Sequence, residues 1–550
     1  MNANQRWQRR SYLTFLVILA AFLVFACAPE VEKQENLKNN SSAFKRPNIV
    51  MIYTDDLDAD SISRMPNLRS LLVEQGTTFE NSFVTNSLCC PSRATMLRGQ
   101  YTHNHKIFTN EPPHGGTPKF RASGREDSTV ATWLKEEGYQ TAFFGKYLNR
   151  YGGTGDRSYV PKGWDQWHAI AGNYLSNRIS DNGKITNYDP KERHITDVLA
   201  DKATGYVQNR NNYEYTNHRE TTADTADYSK PFFMVLSTKA PHQPAIPPER
   251  YRDAFSNVSA PRPPSFNEED VSDKPEWVRD NPKLTRQEIS RIDNLYRNRL
   301  RSLLAVDDAI GSVVDELKQT GELENTYIFF TSDNGFHMGA HRLGIGKWTA
   351  YEEDIRVPLI VRGPDVPEDR SLEHMVLNND LAPTFTDLAG GEPPEFVDGR
   401  SLVPLLDTGQ IPAGEERAST SSTTGEWREG FLVESSPGLQ AEVGSPSTNE
   451  GNSWSGSLRG DPDPKAGQDE AGGDELGRTD PNLKAIRTKN HLYVEYSNGE
   501  RELYDLRSDP FQLENKYSGA SPALLQNLES RLDTLRECSG SSCETAENRN

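Results

Sequence analysis

Short runs of apolar and β-branched residues recur along the chain and are separated by stretches with helical spacing. These runs have the length and composition of strands buried on both faces of a sheet. They occupy residues 48–54, 140–144, 232–236, 327–331 and 358–361. Amphipathic helical patterns lie between them, at 128–137 and most clearly at 296–317, where apolar residues recur every three or four positions. Strands alternating with helices predict an α/β domain with a large, mostly parallel sheet.

The C-terminal part of the chain has a different pattern. Residues 438–480 are dominated by Gly, Ser, Pro, Asp and Glu, which predicts a flexible insertion. Three apolar runs follow at 483–486, 491–496 and 502–506, with the strong turn signal Asn-Gly before the last of them, and a helical pattern covers 522–535. We therefore predict a first domain over residues 47–400. A smaller antiparallel subdomain is predicted over residues 401–550.

The first 27 residues predict an export signal. Arg6, Arg9 and Arg10 precede an apolar run at 13–26, which is short for a membrane span. The residues ending at Cys27 resemble a bacterial lipobox, in which this cysteine is lipidated and holds the protein at a membrane. Plain cleavage and an uncleaved anchor are the alternatives. The two adjacent arginines also resemble a twin-arginine signal. A polar tether over 28–46 then precedes the first domain, and the expected location is periplasmic, cell-surface or secreted.

Charge and cysteine content narrow the function further. The chain has 61 Lys plus Arg and 80 Asp plus Glu, a formal net charge of −19, which argues against a nucleic-acid binder. An anionic substrate stays compatible, because a few local cations can form a positive pocket. Cys538 and Cys543 close a short loop, and we expect them to pair in an oxidising compartment. Cys89 and Cys90 are adjacent and carry a different signal.

Acidic residues follow two of the predicted strands. Asp55 and Asp56 end the first strand, and Asp333 and Asn334 follow a later one. Functional groups of such sheets gather just beyond the carboxyl ends of the strands. Two adjacent carboxylates repel unless a cation neutralises them, although the second pair taken alone is compatible with a plain turn. Together the four side chains offer three carboxylates and one amide oxygen, which suit Ca²⁺, suit Mg²⁺ less well and do not suit Zn²⁺.

The paired cysteines begin the run Cys-Cys-Pro-Ser-Arg-Ala-Thr-Met-Leu-Arg-Gly, which lies between a strand-like segment and a short helical pattern. An ordinary interpretation is a metal site or a buried thiol pair. Adjacent cysteines rarely suit one tetrahedral zinc site, and no second cysteine cluster in the sequence completes one. The run from Cys89 to Arg93 has the form Cys-x-Pro-Ser-Arg and resembles the modification motif of type I sulfatases. In that family the first cysteine is oxidised to formylglycine, so the resemblance makes Cys89 the modified residue.

The resemblance covers the chain from Asn48 to Gly363 and implies an alkaline-phosphatase-like fold. The family's metal ligands fall on Asp55, Asp56, Asp333 and Asn334, together with formylglycine at Cys89. The implied cofactors are Ca²⁺ and this formylglycine, and the implied partner is a formylglycine-generating enzyme.

Cationic residues and a histidine follow in the order typical of the family. Lys146, directly after a predicted strand, resembles the sulfate-binding lysine. His242, in Ala-Pro-His-Gln-Pro, resembles the histidine that contacts the ester oxygen. Lys347 lies in a segment that resembles the one carrying a second active-site lysine, and Arg93 is implied to orient the nucleophile. A lone lysine is usually a solvated side chain and a lone histidine is usually structural, so the joint order of these residues carries the inference.

One position departs from the common family pattern. Many sulfatases have Gly-Lys-Trp-His after this strand, whereas here the run is Gly-Lys-Tyr-Leu-Asn and Leu148 replaces the histidine. That run and the double cysteine are typical of the N-acetylglucosamine-6-sulfatase and extracellular heparan 6-O-endosulfatase branch. The branch implies a sulfated carbohydrate substrate, with 6-O-sulfated N-acetylglucosamine favoured. His337, His341 and Arg342, which follow the second acidic pair, are predicted to contact it.

The resemblance also implies a mechanism. An aldehyde at position 89 hydrates to a geminal diol, and calcium with its cationic neighbours lowers the pKa of one hydroxyl. That oxygen attacks the sulfur and displaces the alcohol, and the second hydroxyl then expels sulfate. Lys146 and Lys347 offset charge in the transition state. His242 protonates the leaving alcohol, which contributes about 10²–10⁴-fold when a general acid does it.

Three alternatives stay open from the sequence. The first is an arylsulfatase of broad specificity. The second is a phosphonate or phosphate monoester hydrolase of the same superfamily, since these can share the cysteine motif, although the Gly-Lys-Tyr-Leu-Asn run and the Lys347 segment favour sulfate. The third is a non-catalytic surface protein that binds sulfated glycans with Cys89 unconverted. The complete set of candidate metal and lysine positions argues against this last reading.

Overall fold

The computed structural model describes residues 46–153, 158–172, 176–209, 230–408, 427–439 and 481–549. The predicted export signal with Cys27 lies outside these ranges, as do all of the predicted tether except residue 46 and the predicted insertion beyond residue 439. Within the described ranges, none of the helices has the length and apolar character needed to cross a membrane.

The strands of the described residues form three sheets. In chain order they are β1 (Asn48–Asp55), β2 (Thr77–Phe83), β3 (Gln140–Gly145), β4 (Gln166–Ile170), β5 (Arg178–Asp181), β6 (Lys184–Asn187), β7 (Phe232–Pro241), β8 (Thr326–Ser332), β9 (His337–Met338), β10 (Ile345–Gly346), β11 (Leu359–Arg362), β12 (Arg370–Leu377), β13 (Gly430–Ser435), β14 (Leu483–Thr488), β15 (His491–Tyr496) and β16 (Arg501–Asp505). The large sheet has the order β12-β2-β11-β8-β1-β7-β3-β4-β5-β6, and β9 pairs with β10 in a small one.

The middle of the large sheet is parallel. Strand β1 lies between β8 and β7 and runs parallel to both, and β3 runs parallel to β7 and β4. Strand β11 runs antiparallel to β8 and β2, so the apolar run predicted at 358–361 belongs to the sheet in the opposite direction. The carboxyl ends of β1, β3, β7 and β8 therefore meet at one edge, which is where functional groups gather in such sheets.

Helices cover both faces of this sheet. The α-helices with bounds inside the described ranges are α1 (Pro66–Leu68), α2 (Cys89–Arg98), α3 (Thr102–His105), α4 (Gly116–Ala122), α5 (Val130–Glu136), α6 (Ile195–Asn209), α7 (Glu276–Arg279), α8 (Arg286–Gln319), α9 (Glu352–Ile355), α10 (Leu381–Leu388), α11 (Val403–Thr408), α12 (Pro522–Glu537) and α13 (Ser541–Glu547). The longest, α8, begins with a capping box in which Thr285 and Glu288 satisfy each other's backbone N–H groups.

Side chains of β1 alternate between two apolar cores, as the two-residue period of a strand requires. Ile49 and Met51 pack in one cluster with residues of α2, α5 and α10. Val50 and Ile52 pack in the other with residues of α6 and α8. All four side chains are fully buried, so β1 is fixed from both faces and its carboxyl end is held rigidly.

The second, smaller sheet confirms the predicted antiparallel C-terminal unit. Its order is β13-β14-β15-β16, and every pairing in it is antiparallel. A third apolar cluster joins this sheet and α12 to residues beside the large sheet, among them Phe83 and Tyr101. Cys538 and Cys543 form a disulfide between α12 and α13.

Buried ion pairs also connect the C-terminal residues to the large sheet. Arg428 lies 2.8 Å from Asp380, which follows β12, and 2.9 Å from Glu547 in α13, and all three side chains are fully buried. Glu547 also accepts a hydrogen bond from Tyr101, close to the end of α2. Charged groups buried this completely destabilise the fold unless an opposite charge compensates them.

We expect Arg428→Met to lower the free energy of unfolding by about 3–5 kcal/mol, because it leaves the buried carboxylate of Asp380 without its cation. Glu547 loses one of two cations, since Arg400 also lies 2.6 Å from it. Arg250→Met is the matched control, since Arg250 also lies between two carboxylates, Asp197 and Asp308, but is 41% exposed. That control should cost about 1 kcal/mol or less. Urea unfolding of the three proteins measures both values, and equal losses would contradict the assignment.

Candidate active site

Two acidic pairs meet where β1 and β8 end. Asp55 and Asp56 are buried, and Asp56 adopts a left-handed backbone conformation with φ of 62°. The Asp56 N–H donates to Asp333 Oδ1 at 3.0 Å, and the Leu57 N–H donates to Ser332 Oγ at 2.9 Å. These bonds hold the strained turn after β1 against the end of β8.

Cys89 is the first residue of α2, and every residue of that helix is buried. Its Sγ lies 3.4 Å from Asp55 Oδ1 and 3.7 Å from Asp56 Oδ1, and Lys347 Nζ lies 2.8 Å from the same sulfur. Burial raises the pKa of the Cys89 thiol well above its usual value, although Lys146 and Lys347 act in the opposite direction. The unmodified residue is therefore a neutral thiol, which is a poor nucleophile.

Each of the three carboxylates has a close contact with a different buried cation. The pairs are Lys146 Nζ to Asp55 Oδ2 at 2.6 Å, Lys347 Nζ to Asp56 Oδ1 at 2.6 Å and Arg93 Nε to Asp333 Oδ2 at 2.7 Å. Buried charges are tolerated when they are paired and hydrogen-bonded in this way. These three carboxylates and three cations therefore balance in charge.

The three carboxyl groups do not titrate alike. Burial raises the pKa of Asp55, but the charge of Lys146 outweighs this effect and the pKa falls below its usual range. His242 and Lys347 outweigh the effect of burial for Asp56, so its pKa is lowered too. For Asp333, burial and the nearby Asp55 raise the pKa to about 6. A further cation beside these groups would keep all three ionised.

The site also contains buried polar atoms that no described residue satisfies. Asn334 donates from Nδ2 to Asp56 Oδ1 at 2.8 Å, but its Oδ1 is buried without a hydrogen-bond donor among the described residues. Arg93 Nη2 is buried there without an acceptor. Buried polar atoms are nearly always satisfied in native proteins. A cation suits the amide oxygen, and an anionic or hydroxyl oxygen suits the guanidinium.

Side chains of the metal-ligating type are clustered here. Ligand atoms of Asp55, Asp56, Cys89 and His242 all lie within 4.8 Å of one another and are buried. This group can hold a metal ion. The group includes His242, which the sequence predicted as the acid that protonates the leaving alcohol. Asp333 is not among its members. Its Oδ1 accepts a hydrogen bond from the Asp56 N–H and its Oδ2 accepts one from Arg93 Nε.

Arg93 and Lys146 are held by backbone geometry at the ends of β3 and β7. Arg93 Nη1 donates to the Lys146 carbonyl and to Ser237 Oγ, both at 2.8 Å. The Lys146 N–H donates to the Ser237 carbonyl at 2.8 Å. A Cβ at Gly145 would lie 1.7 Å from that carbonyl oxygen, so the position before Lys146 requires glycine.

His242 follows β7 and faces the acidic pair. Its Nε2 lies 3.4 Å from Asp56 Oδ2, and its Nδ1 lies 2.6 Å from the Gln243 carbonyl oxygen. A carbonyl oxygen only accepts, so Nδ1 carries a proton and Nε2 points to the site. Burial lowers the pKa of His242 to about 4, although Asp56 raises it.

A cleft of about 480 Å³, part of it open to solvent, adjoins these residues and shares Lys146 with them. The remaining lining residues are Glu111, Tyr147, Leu148, Asn149, Arg150, Tyr151, Ile170, Gly172 and Lys239. Leu148 is 2% exposed and packs in the core, so its side chain supplies no polar group in place of the family's usual histidine.

The three predicted substrate contacts have protein partners. His337 Nδ1 lies 2.9 Å from Asp354 Oδ1, and His341 Nδ1 lies 2.7 Å from Glu268 Oε2. His341 is fully buried, and Arg342 donates to two backbone carbonyls in the loop that contains Glu268. These contacts fix the three side chains within the protein, and a substrate contact by them stays a prediction.

Sequence reasoning missed three residues near the site. Ser237 receives a hydrogen bond from Arg93, the ring of Tyr53 lies 4.8 Å beneath the same guanidinium, and Lys239 lines the cleft. Their positions next to strand ends are the only signal that the sequence offered.

Comparison with known proteins identifies the family. The sulfatase family model matches residues 47–391. The human (Homo sapiens) N-acetylglucosamine-6-sulfatase is 35% identical over 525 residues, a match that covers 91% of this chain and 86% of that protein. The chain therefore belongs to the sulfatase family, whose members hydrolyse sulfate esters. This confirms the family predicted from the Cys-x-Pro-Ser-Arg motif and its partners.

Solved structures confirm the alkaline-phosphatase-like fold. A protein in complex with its substrate D-glucosamine-2-N,6-O-disulfate has a TM-score of 0.67 at 23% identity, over 92% of this chain and all 100% of that one. A phosphonate monoester hydrolase from Silicibacter pomeroyi has a TM-score of 0.59 at 21% identity, over 88% of this chain and 93% of that one. Both neighbours share the fold of this chain.

Proposed function

We propose that this sulfatase removes sulfate from a sulfated glycan or amino sugar, with 6-O-sulfated N-acetylglucosamine as the favoured substrate, and that Cys89 acts after oxidation to formylglycine. The contact geometry of Cys89 carries the proposal. Its sulfur lies within 3.7 Å of two carboxylate oxygens and 2.8 Å from Lys347 Nζ. A protonated thiol carries no charge that these cations could stabilise. An oxygen nucleophile, in contrast, is activated when nearby cations lower its pKa.

The modified residue supplies two oxygen atoms as a hydrated aldehyde, one to attack sulfur and one to expel sulfate afterwards. Cys89 rather than Cys90 is the proposed position. Cys90 is also a buried thiol, and burial raises its pKa to about 12, but its partners are backbone groups and Asn110 instead of the acidic pairs. The two cysteines therefore differ in surroundings, although they are neighbours in the sequence.

We propose Ca²⁺ as the metal, held by Asp55, Asp56, Asp333, Asn334 and the modified residue at 89. Oxygen donors of this kind suit Ca²⁺. The buried Asn334 Oδ1 without a donor supports this set, and so does the raised pKa of Asp333. Ca²⁺ supplies positive charge that favours ionisation of the nucleophile. Because the three carboxylates are balanced by three cations, a divalent cation would leave an excess of positive charge for an anionic ester.

The remaining roles follow from position and charge. Lys146 and Lys347 bind sulfuryl oxygens and offset the charge that develops on them during transfer. The free Nη2 of Arg93 donates to the nucleophile or to the ester. His242, whose Nε2 faces the site, protonates the leaving alcohol. Burial keeps this histidine neutral in the free protein, so it takes up a proton when an anionic ester raises its pKa.

The maturation of the chain is part of the same proposal. A formylglycine-generating enzyme modifies Cys89, and the N-terminal signal exports the chain with Cys27 as its lipid attachment point. The polar composition of residues 28–46 is typical of a tether between an anchor and a folded domain, which supports attachment at a membrane surface.

Wild-type protein should release sulfate from N-acetylglucosamine 6-sulfate, and Cys89→Ala should abolish this release, because no other side chain at the site supplies the nucleophile. Cys90→Ala is the matched control and should keep at least a tenth of the activity if it folds. Ion chromatography of sulfate measures both. If the protein hydrolyses a phosphonate ester but no sulfate ester, neither sugar sulfate nor aryl sulfate, the phosphonate hydrolase alternative is favoured.

Removing calcium should weaken both activity and stability. Ca²⁺ at 100 times its dissociation constant should stabilise the folded protein by about 2.7 kcal/mol, since it binds only the folded site. Asn334→Ala should raise the Ca²⁺ concentration needed for half of this effect at least tenfold, while the exposed turn variant Asn498→Ala should not change it. Thermal unfolding in EGTA with added Ca²⁺ or Mg²⁺ measures the effect, and an identical response of both variants would contradict the ligand assignment.

His242→Gln should reduce turnover of a sugar sulfate by about 10²–10⁴-fold, the contribution of a general acid. Turnover of an aryl sulfate should fall less than tenfold, because its phenolate leaves without a proton. His491→Gln, in β15 of the second sheet, should change neither rate. Parallel initial rates on the two esters measure the difference, and equal losses on both would remove His242 from this role.

A further inference from the structure

The backbone directly after Lys347 is held in an unfavourable conformation. Trp348 has a φ of 87°, in the left-handed region that residues other than glycine rarely adopt. Such strain costs free energy and persists only where the surrounding structure enforces it. Lys347 Nζ lies 2.8 Å from Cys89 Sγ, so this strain is stored next to the proposed nucleophile. The contacts that hold Trp348 therefore also help to determine where Lys347 lies.

Ser87 holds this strained segment from the side of the nucleophile. Its carbonyl oxygen accepts the Trp348 N–H at 3.2 Å, and its Oγ donates to the Thr349 carbonyl oxygen at 2.7 Å. Ser87 is fully buried and lies two residues before Cys89. Two hydrogen bonds thus join the start of α2 to the segment after Lys347.

Asp354, in α9, holds the same segment from a second element. Its Oδ2 accepts the Thr349 N–H at 3.1 Å and the Thr349 hydroxyl at 2.6 Å. The oxygen of that hydroxyl accepts the Tyr351 N–H at 3.1 Å, which ties the turn before α9 together. Asp354 is fully buried, so water does not compete for its carboxylate. The bonds between Asp354 and Thr349 are therefore a fixed part of the site's frame.

His337 is a further donor to this carboxylate. Its Nδ1 lies 2.9 Å from Asp354 Oδ1 and 3.0 Å from Oδ2. An ionised carboxylate only accepts, so Nδ1 carries a proton. In the small sheet His337 pairs with Gly346, the residue directly before Lys347. Asp354 is thus connected to the backbone on both sides of Lys347, through Thr349 and through His337.

The backbone of Asp354 reaches the second acidic pair as well. Its carbonyl oxygen accepts the Gly335 N–H at 2.9 Å, and Gly335 directly follows Asn334. A Cβ at Gly335 would lie 2.1 Å from the Glu353 carbonyl oxygen, so this close approach requires glycine. Asp354 therefore contacts the segment of Lys347 with its side chain and the segment of Asn334 with its backbone.

We propose that Asp354 is a positioning residue for sulfate transfer. It fixes Lys347 beside Asp56 and the nucleophile, at the place where the ammonium offsets charge on the sulfuryl oxygens. The inference rests on the proposed function, because it presupposes that role of Lys347. Asp354 acts through Thr349 and takes no part in the transfer itself. Its effect on the rate then depends on the presence of Lys347, which a purely structural role does not require.

Thr349→Val tests this contact with a small perturbation, because valine has nearly the same shape and lacks only the hydroxyl. It should lower kcat/KM about tenfold or more, since a displacement of about 1 Å at a catalytic group can cost about 10²-fold. The rate is measured on an aryl sulfate and on N-acetylglucosamine 6-sulfate, with the aldehyde content at position 89 determined for each variant. Thr349→Ser keeps the hydroxyl and should restore most of the activity.

Thr326→Val is the matched control. Thr326 is also a buried threonine whose hydroxyl donates to a backbone carbonyl, that of Glu322 at 2.7 Å, but it begins β8, whereas the site lies at the other end of that strand. This variant should leave kcat/KM unchanged. Asp354→Asn puts a donor group where an acceptor is needed and should lower kcat/KM at least as much as Thr349→Val. If Asp354→Asn does not fold, Thr349→Val carries the test.

A double-mutant cycle with Lys347→Met separates positioning from a general loss of structure. Lys347→Met alone should lower kcat/KM about tenfold or more, as the loss of a group that stabilises the transition state does. Thr349→Val added to it should have an effect of less than about twofold, because the residue that it positions is already gone. A structural effect would lower kcat/KM by the same factor in both backgrounds.

A crystal structure of Thr349→Val gives a readout that needs no activity. Lys347 Nζ should leave its position 2.6 Å from Asp56 Oδ1, while the residue at position 89 stays in place. Lys347 in its wild-type position would overturn the inference alone, and so would equal factors in the two backgrounds or an equal loss in Thr326→Val. If protein with the aldehyde at position 89 releases sulfate from neither ester, the proposed function fails and the inference with it. The two failures are therefore distinguishable.

Discussion

Three carboxylates buried at the ends of β1 and β8 are the constraint on which the site depends. Carboxylates without water are stable only when cations compensate them. The chain supplies these cations from three separate segments, Arg93 in α2, Lys146 after β3 and Lys347 after β10. The same requirement brings the start of α2 against the strand ends. Cys89 is thereby fixed beside two carboxylates and a lysine.

Charge compensation also explains how a buried acidic site can act on an anion. The three carboxylates are balanced by three cations, so a divalent metal ion would make the site positive. The buried oxygen of Asn334 and the raised pKa of Asp333 both favour a cation at this position.

The sequence predicted the central strands because they are buried on both faces and read as continuous apolar runs. It missed β2, whose pattern mixes buried and exposed positions, and the short strands β5 and β6 at the edge of the sheet. Site residues could be predicted where several of them occur together in one motif, as in Cys-x-Pro-Ser-Arg and the acidic pairs. Lys239 and Ser237 could not, since a lone lysine or serine resembles a surface residue. His341 was expected in the pocket, but the sequence does not reveal that its side chain turns towards Glu268.

The most direct test of the account is mass spectrometry of the peptide that contains Cys89 and Cys90, isolated from protein made in its native host. The account predicts an aldehyde at position 89, a loss of sulfur and gain of oxygen at that residue, and an unmodified thiol at position 90. An unmodified thiol at position 89 in a preparation that releases sulfate would contradict it.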